Sequence, residues 1–236
     1  MRLPLPLTGL RTDSLFPRRR FRAHTDRFYS ALGERYGLPA PSAAGLRTTF
    51  AEMVRTLRAL PGHPLHEERA TELVVLAHAG TDAEASWPGP VLSATLPEVR
   101  RAFAVTDLGP VSGFAALELA GVYATAMRCD RAVVVLMDQD RPITLPDDPT
   151  TWATQAVTLV LGGAGPSLGH LDVSVTRDDV TRDDTGGGVP SWSPPTTGAW
   201  SHLARRLPAP DDVALTIHDP ISRCTGRCLV TPAGRP

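Results

Sequence analysis

Three runs of strand length constrain this chain more than any other feature. "TELVVLAHA" (71–79), "RAVVVLMDQ" (131–139) and "QAVTLVLGG" (155–163) are apolar almost without interruption. A strand with one wet face alternates apolar and polar residues. A run without that alternation belongs to a strand covered on both faces, as in a parallel sheet between helical layers. Between the first two runs lies a helical stretch from Ser112 to Arg128 that is apolar nearly all round, with Phe114, Leu117, Leu119, Val122 and many alanines. A helix without a polar face is itself buried, and its alanines let neighbours come close. "LPEVRRAF" reads as a short helix, and "AFAVTDLG" and "LGHLDVSVTRD" as further strands. Strand–helix alternation of this kind predicts an α/β layered fold.

Toward the N-terminus, "FRAHTDRFYSALGERYG" (21–37) places Phe21, Phe28, Leu32 and Tyr36 near helical spacing, with Gly37 as a C-cap. "AGLRTTFAEMVRTLRAL" (44–60) is a second amphipathic helix, with Leu46, Phe50, Met53, Val54 and Leu57 on one face. Residues 178–197 are rich in Gly, Pro, Thr and Asp, which predicts a linker. The short repeat "TRDDVTRDD" at its start receives no architecture of its own. The organisation expected is therefore 1–177, the linker 178–197, and a reduced segment 198–236 packing on the first part. That last segment holds a helix around "AWSHLARRL", a strand "DDVALTIHD" and the tail "RCTGRC".

The net charge of −1 gives no one-signed field toward nucleic acid or an anionic membrane. No apolar run reaches the roughly 18 residues of a membrane span. The opening "MRLPLPLTGLRTDSLFPRRR" is too short in its apolar part, and too broken by proline, for a signal segment. A cytoplasmic protein is expected. Its three cysteines fit reduced thiols better than a disulfide framework.

The order "ELVVLAHA", small helix, "AFAVTDLG", turn "PVSGF", Ala-rich helix, "RAVVVLMDQD" resembles the N-terminal half of the thiolase superfamily, and most of all its ketoacyl synthase III branch. The resemblance covers roughly residues 45–165. It implies a thiolase-like layered sheet with helices whose second half is truncated or degenerate. In that family the turn reads Ala-Cys-Ser/Ala-Gly-Phe, and the cysteine accepts the acyl group at the N-terminus of a buried helix. Such a terminus lowers a thiol pKa and supplies amide donors for an oxyanion. Aligned on Ser112-Gly113-Phe114, the cysteine slot holds Val111, and Thr106 stands where the family usually has Asp. "QAVTLVLGG" is preceded by Thr151-Trp152-Ala153-Thr154 instead of Gly-Asp-Gly-Ala. Valine cannot be acylated. The family's His and Asn motifs are also missing, and the chain contains no asparagine at all.

The candidates for substitute chemistry are Ser112, His218, Cys224 and Cys228. Ser112 reads as a new nucleophile or as a cap on the buried helix. His218 ends a strand in "VALTIHDP", where ligand-facing residues gather, although Asp219-Pro220 also starts a turn. Cys224 and Cys228 supply half of a zinc set at most, so no metal and no cofactor are expected. Cys129 reads as buried packing. His63, His66, Glu67 and Glu68 in "PGHPLHEERA" read as a solvated turn. The basic patch "FPRRRFRAHTDR" is either a solvated helix start or a face for an acidic carrier or a phosphopantetheine phosphate. "LGGAGPSLG" lacks a phosphate-loop lysine, so nucleotide binding is set aside.

By resemblance, Val111, Ser112, Gly113, Phe114 and His78 would line an acyl pocket. The function implied is a non-catalytic ketosynthase-like partner subunit of polyketide or fatty-acid-type secondary metabolism, which shapes an acyl pocket or recruits an acyl carrier protein. It would form a homodimer, or a heterodimer with an active ketosynthase, through the edge strand after the buried helix, with an acyl carrier protein or acyl-CoA as further partner. Alternatives are a repurposed acyltransferase, hydrolase or cyclase acting on an acyl thioester, and a small-molecule binding protein.

Overall fold

The computed structural model describes residues 1–19, 27, 30, 31, 34, 46–66, 71–79, 88–96, 99–106, 108–139, 153–177, 195–219 and 222–233. Five strands form a mixed sheet in the order β1-β5-β4-β2-β3. They are β1 (Leu7–Asp13), β2 (Leu73–His78), β3 (Arg101–Val105), β4 (Arg131–Asp138) and β5 (Gln155–Gly162). β3, β2 and β4 run parallel, and β5 runs antiparallel to both β4 and β1. Every residue of β2 and β4 is buried, as their unbroken apolar runs demand.

Alternate residues of β2 serve two separate cores. Leu73, Val75 and Ala77 pack on one side with α3 (Ser112–Met127) and α4 (Gly198–Arg206). Val74 and Leu76 pack on the other with α1 (Phe50–Ala59) and α2 (Pro88–Thr95). Beyond α3 and α4 lies a three-stranded antiparallel sheet, β6-β8-β7, made of β6 (His170–Arg177), β7 (Val213–Asp219) and β8 (Cys224–Thr231). Leu171, Val173, Val213, Leu215, Cys228 and Val230 turn inward and join the α3 core. Asp172, Thr216, His218 and Arg227 turn outward and are exposed. The layers are thus helices, sheet, helices, sheet, and the last sheet has the alternation of one that faces water.

β6 pairs with β8, and one apolar cluster joins both sheets through α3 and α4. The segments expected as 1–177 and 198–236 therefore share a core. Residues 178–194 of the expected linker, the "TRDD" repeat among them, lie outside the described residues, as does most of the helix expected at 21–37. Of that helix, Arg27, Ser30, Ala31 and Glu34 are described; they are helical and exposed.

The start, to which the sequence reading gave no element, joins both sheets: Leu3 N–H donates to Leu171 O at 2.9 Å beside β6, and the chain then crosses to form β1 on β5. Leu3 and Leu7 face the core there, while Pro4 and Pro6 flank the crossing. Three expectations are corrected. The helix expected from residue 44 begins at Phe50, because Thr49 caps it: Glu52 N–H donates to Thr49 Oγ1 at 3.1 Å. Leu46 lies before that cap and is exposed. The helix expected in "LPEVRRAF" is found earlier, in "PGPVLSAT", where Pro88 suits the first turn, and Arg101–Phe103 belong to β3. Finally, the strand after the buried helix is β4, which lies inside the sheet; among the described strands the edges are β1 and β3, the latter being the strand before that helix.

Candidate functional site

The parallel strands β2, β3 and β4 end on one side of the sheet, and the chain there turns from β3 into α3. Gly109 takes a positive φ of 52°, a short 3-10 turn covers Gly109–Val111, and Ser112 opens the helix. Val111 is fully buried, and its side chain makes no cap bond. Ser112 does not cap the helix as expected. Its backbone is already helical, at φ −50° and ψ −37°, so its hydroxyl cannot fold back onto the first free amides. The buried Ser112 Oγ has no hydrogen-bond partner.

The space around this turn is filled by side chains. Phe114 and Trp200 are both fully buried, with ring centroids 4.9 Å apart. A Cβ on Gly113 would lie 2.9 Å from Trp200 Nε1, and one on Gly226 would lie 2.5 Å from Phe114 Cδ2. Glycine at these two positions lets β8 and α4 close on the start of α3. The expected acyl-pocket residues Val111, Ser112, Gly113 and Phe114 thus line packed core. His78, the fifth, lies on the opposite face of the sheet, stacked on Phe50 with ring centroids 4.5 Å apart.

The substitute candidates are not brought together. His218 stands on the outward face of β7, where its Nδ1 is 3.1 Å from Thr225 Oγ1. Cys224 and Cys228 point inward from β8 at positions four apart, roughly 13 Å along an extended strand, too far for one disulfide or one metal. Burial pushes the Cys228 thiol up to about 12, which leaves it a poor nucleophile. Cys129 is buried, and its thiol is likewise pushed up, by burial first and then by the Glu72 carboxylate. Among the described residues no group of three metal-ligating side chains occurs.

Two polar centres escaped the sequence reading. The first is Asp138, the last residue of β4, which is buried. Its carboxyl accepts from Thr196 N–H at 3.1 Å and from the N–H and hydroxyl of Thr197, each at 2.6 Å. The Thr197 and Ser201 hydroxyls also reach Gln155 Oε1, at 3.1 and 2.9 Å. Thr196 Oγ1 donates to Gly109 O at 3.3 Å. Asp138 thereby ties the start of α4 to the end of β4 and to the turn before Val111. Loss of water raises its pKa to about 6 despite these donors. An acid closing an otherwise apolar run was the available signal.

The second is His63, expected in a solvated turn and found fully buried, because Leu65 beside it anchors the loop in the α1 core. Leu65 N–H donates to His63 Nδ1 at 3.1 Å, so the ring proton is on Nε2, which faces Thr158 Oγ1 at 3.1 Å and Asp13 Oδ2 at 3.7 Å. Asp13 and Thr158 meet the same nitrogen, so no Asp–His–hydroxyl relay can operate. Burial holds this imidazole down to about 4, against the pull of Asp13. His66 is exposed, and Glu67 and Glu68 lie outside the described residues.

The glycines of "LGGAGPSLG" serve the turn after β5. Gly162 and Gly163 have φ of 72° and 77°, and a Cβ on Gly162 would meet Asp130 O at 2.2 Å. A cavity of about 490 Å³ opens elsewhere, between α2 and the outer face of β3, with His78 at its wall.

No protein-family profile matches the chain, and no curated protein matches it in sequence. Solved structures do match. A 3-oxoacyl-(acyl carrier protein) synthase III, FabH, from Xanthomonas oryzae aligns over 98% of this chain and 100% of its own, with a TM-score of 0.60 and 11% identity. The tetronic acid condensing enzyme AbyA1 aligns over 96% and 99%, with a TM-score of 0.59 and 11% identity. FabH from Pseudomonas aeruginosa aligns over 98% and 99%, with a TM-score of 0.56 and 15% identity. The fold is thiolase-like, of the ketosynthase III type. Against ChlB3, titled an acyltransferase, the thiolase-like chain matches over 74% of its length and spans 55% of that chain, at 20% identity. No described helix of this thiolase-like chain is long and apolar enough to cross a membrane.

Proposed function

We propose that this chain is a non-catalytic, ketosynthase-like partner subunit in acyl-chain assembly of the polyketide or fatty-acid type. The observation that carries the reading is the filled start of α3. At the position where the resemblance puts an acyl-accepting cysteine stands a fully buried valine, and among the described residues the serine beside it has no hydrogen-bond partner to act as its base. Loss of chemistry with retention of the fold suits a subunit that supports a catalytic partner.

The sheet offers a place for that partner. β3 is an edge strand, so one side of its backbone pairs with no other strand among the described residues. Beside it, α3 shows Leu119 (39% exposed) and Val122 (53% exposed), and Tyr123 packs on Phe103 of β3 with ring centroids 4.9 Å apart. An open edge next to an exposed apolar stripe suits pairing with another sheet of the same kind. The partner is a second copy or an active ketosynthase, with an acyl carrier protein recruited to the pair.

Two measurements test the reading. In intact-protein mass spectrometry after incubation with acyl-CoA and acyl-carrier thioesters, the mass stays unchanged; a stoichiometric adduct on Ser112, Cys129, Cys224 or Cys228 overturns the non-catalytic role. In co-expression, an active ketosynthase of the same organism co-purifies in equimolar amount and gains activity. A monomer indifferent to any ketosynthase leaves the partner role without support.

A further inference from the structure

The loop 61–66, between α1 and β2, is seated through the imidazole of His63. The ring is fully buried and reaches across to β5 and β1, where Nε2–H meets Thr158 Oγ1 at 3.1 Å and Asp13 Oδ2 at 3.7 Å. Its other nitrogen, Nδ1, accepts from Leu65 N–H at 3.1 Å. That bond closes the loop on itself and seats the buried Leu65 in the core under α1. The side-chain bonds that hold the loop elsewhere are exposed: Arg11 Nη1 donates to Gly62 O at 3.4 Å, and Arg58 Nη1 to His66 O at 3.2 Å. Gly62 has a φ of 72°, and a Cβ there would find no atom within 4 Å, so the chain has room to pivot at that residue.

The seat fits only a neutral ring. A second proton would go on Nδ1 and face the Leu65 N–H, donor against donor. The positive charge would also lack compensation. Asp13 is the carboxylate within reach, and Arg11 already pairs with it, through Nε at 2.9 and 3.1 Å and through Nη2 at 2.9 Å. Among the described residues, the charged or titratable groups that act on His63 are Asp13 and Arg11 of β1 and His66 of the loop itself. Arg11 and His66 both oppose a second cation, and β5 presents the uncharged Thr158 hydroxyl. Outside its seat the ring takes up a proton without this conflict. His66 is spared it, because its Nδ1 faces Arg58 O at 2.9 Å and donates in either protonation state.

We propose that loop 61–66 is an acid-released strap: uptake of one proton by His63 withdraws the imidazole from β1 and β5, swings the loop about Gly62 and lifts Leu65 out of the α1 core. Release uncovers Thr158 and the apolar side chains of α1 that Leu65 covers. Thr158 lies on the face of the sheet away from α3, since its neighbours Val157 and Leu159 point into the α3 core. The strap therefore does not depend on whether the chain supports a ketosynthase.

Residue-resolved amide hydrogen exchange of the full chain between pH 4 and 6.5 is the test. The free ring titrates at 6.5 and the seated one at about 4, so in the middle of that window an opening that takes up one proton grows about tenfold in population for each pH unit lost. The protection factor of the Leu65 amide is therefore expected to fall about tenfold per unit on acidification, while those of the β4 amides stay level. His63→Gln cannot take up the proton, yet its side chain can still accept from Leu65 N–H and donate to Thr158. In that variant the Leu65 protection factor is expected to stay level. A level Leu65 profile in the unaltered chain, a fall shared equally by β4, or a slope that persists in His63→Gln overturns the proposal. The comparison of Leu65 with β4 in the unaltered chain decides the matter even where His63→Gln does not fold.

Discussion

Ser112 and Val111 occupy the most suggestive turn of the chain, and their burial sets what each can do. The Ser112 hydroxyl is buried without a partner, so removing it takes away a desolvation cost and no bond. Ser112→Ala is therefore expected to leave the urea midpoint unchanged or raise stability by about 1 kcal/mol. A clear fall would reveal a partner for this hydroxyl and reopen its candidacy as a nucleophile. Val111→Cys restores a thiol of similar size at the family's position. In the fold this position is fully buried, so Ellman's reagent is expected to label it only after denaturation, and acyl-CoA not at all. Ready acylation of native Val111→Cys would show the old site still open. The valine itself was legible in the sequence, because a motif displays its missing residue. The burial of His63 and Asp138 was not, since both depend on partners far along the chain, Thr158 for one and Thr197 for the other.

At the scale of elements, legibility followed burial. β2, β4, β5 and α3 announce themselves because strands and helices covered on both sides must be apolar throughout. β1 and α2 do not. β1 is an edge strand in which only Leu7 is buried, so its sequence lacks an apolar run, and α2 opens with prolines that resemble a loop until the first turn uses them. The edge position of β3 was also hidden, because strand order is a matter of crossovers and not of local sequence. Its consequence is testable on α3. Leu119 and Val122 are partly exposed, so Leu119→Glu with Val122→Glu is expected to change the melting temperature of the isolated chain little. The same pair abolishes assembly, whether with a second copy or with a ketosynthase, as read by light scattering coupled to gel filtration. Assembly that survives both glutamates would place the interface elsewhere.

The molecule as a whole has two buried titrating groups whose effects on stability oppose each other in one pH window. His63 is near 4 in the fold against 6.5 when free, so the unfolded chain binds its proton first as pH falls. Its contribution is complete above 6.5 and is lost on descent to about 4, some 3 kcal/mol in order of magnitude. Asp138 is near 6 in the fold against 3.8 when free, so its protonated form is the one favoured inside. That contribution is complete below 3.8 and is lost as pH rises through about 6, again some 3 kcal/mol in order of magnitude. Glu72, held low by the Asp130 amide and by Arg100, adds an acid-side loss shared by every variant compared. The unaltered chain is therefore expected to show a shallow stability profile between pH 4 and 6.5, because the two large slopes cancel. His63→Gln removes the rising slope and leaves stability falling with pH. Asp138→Asn removes the falling slope and leaves stability rising with pH. The asparagine variant is also less stable throughout, since its amide hydrogens confront the amide and hydroxyl donors of Thr196 and Thr197. The slope between pH 4 and 6.5 in urea melts is the readout, and the height of the curve is not. Equal slopes in the two variants would mean that neither group changes its proton affinity on folding, and that the β4–α4 junction admits water.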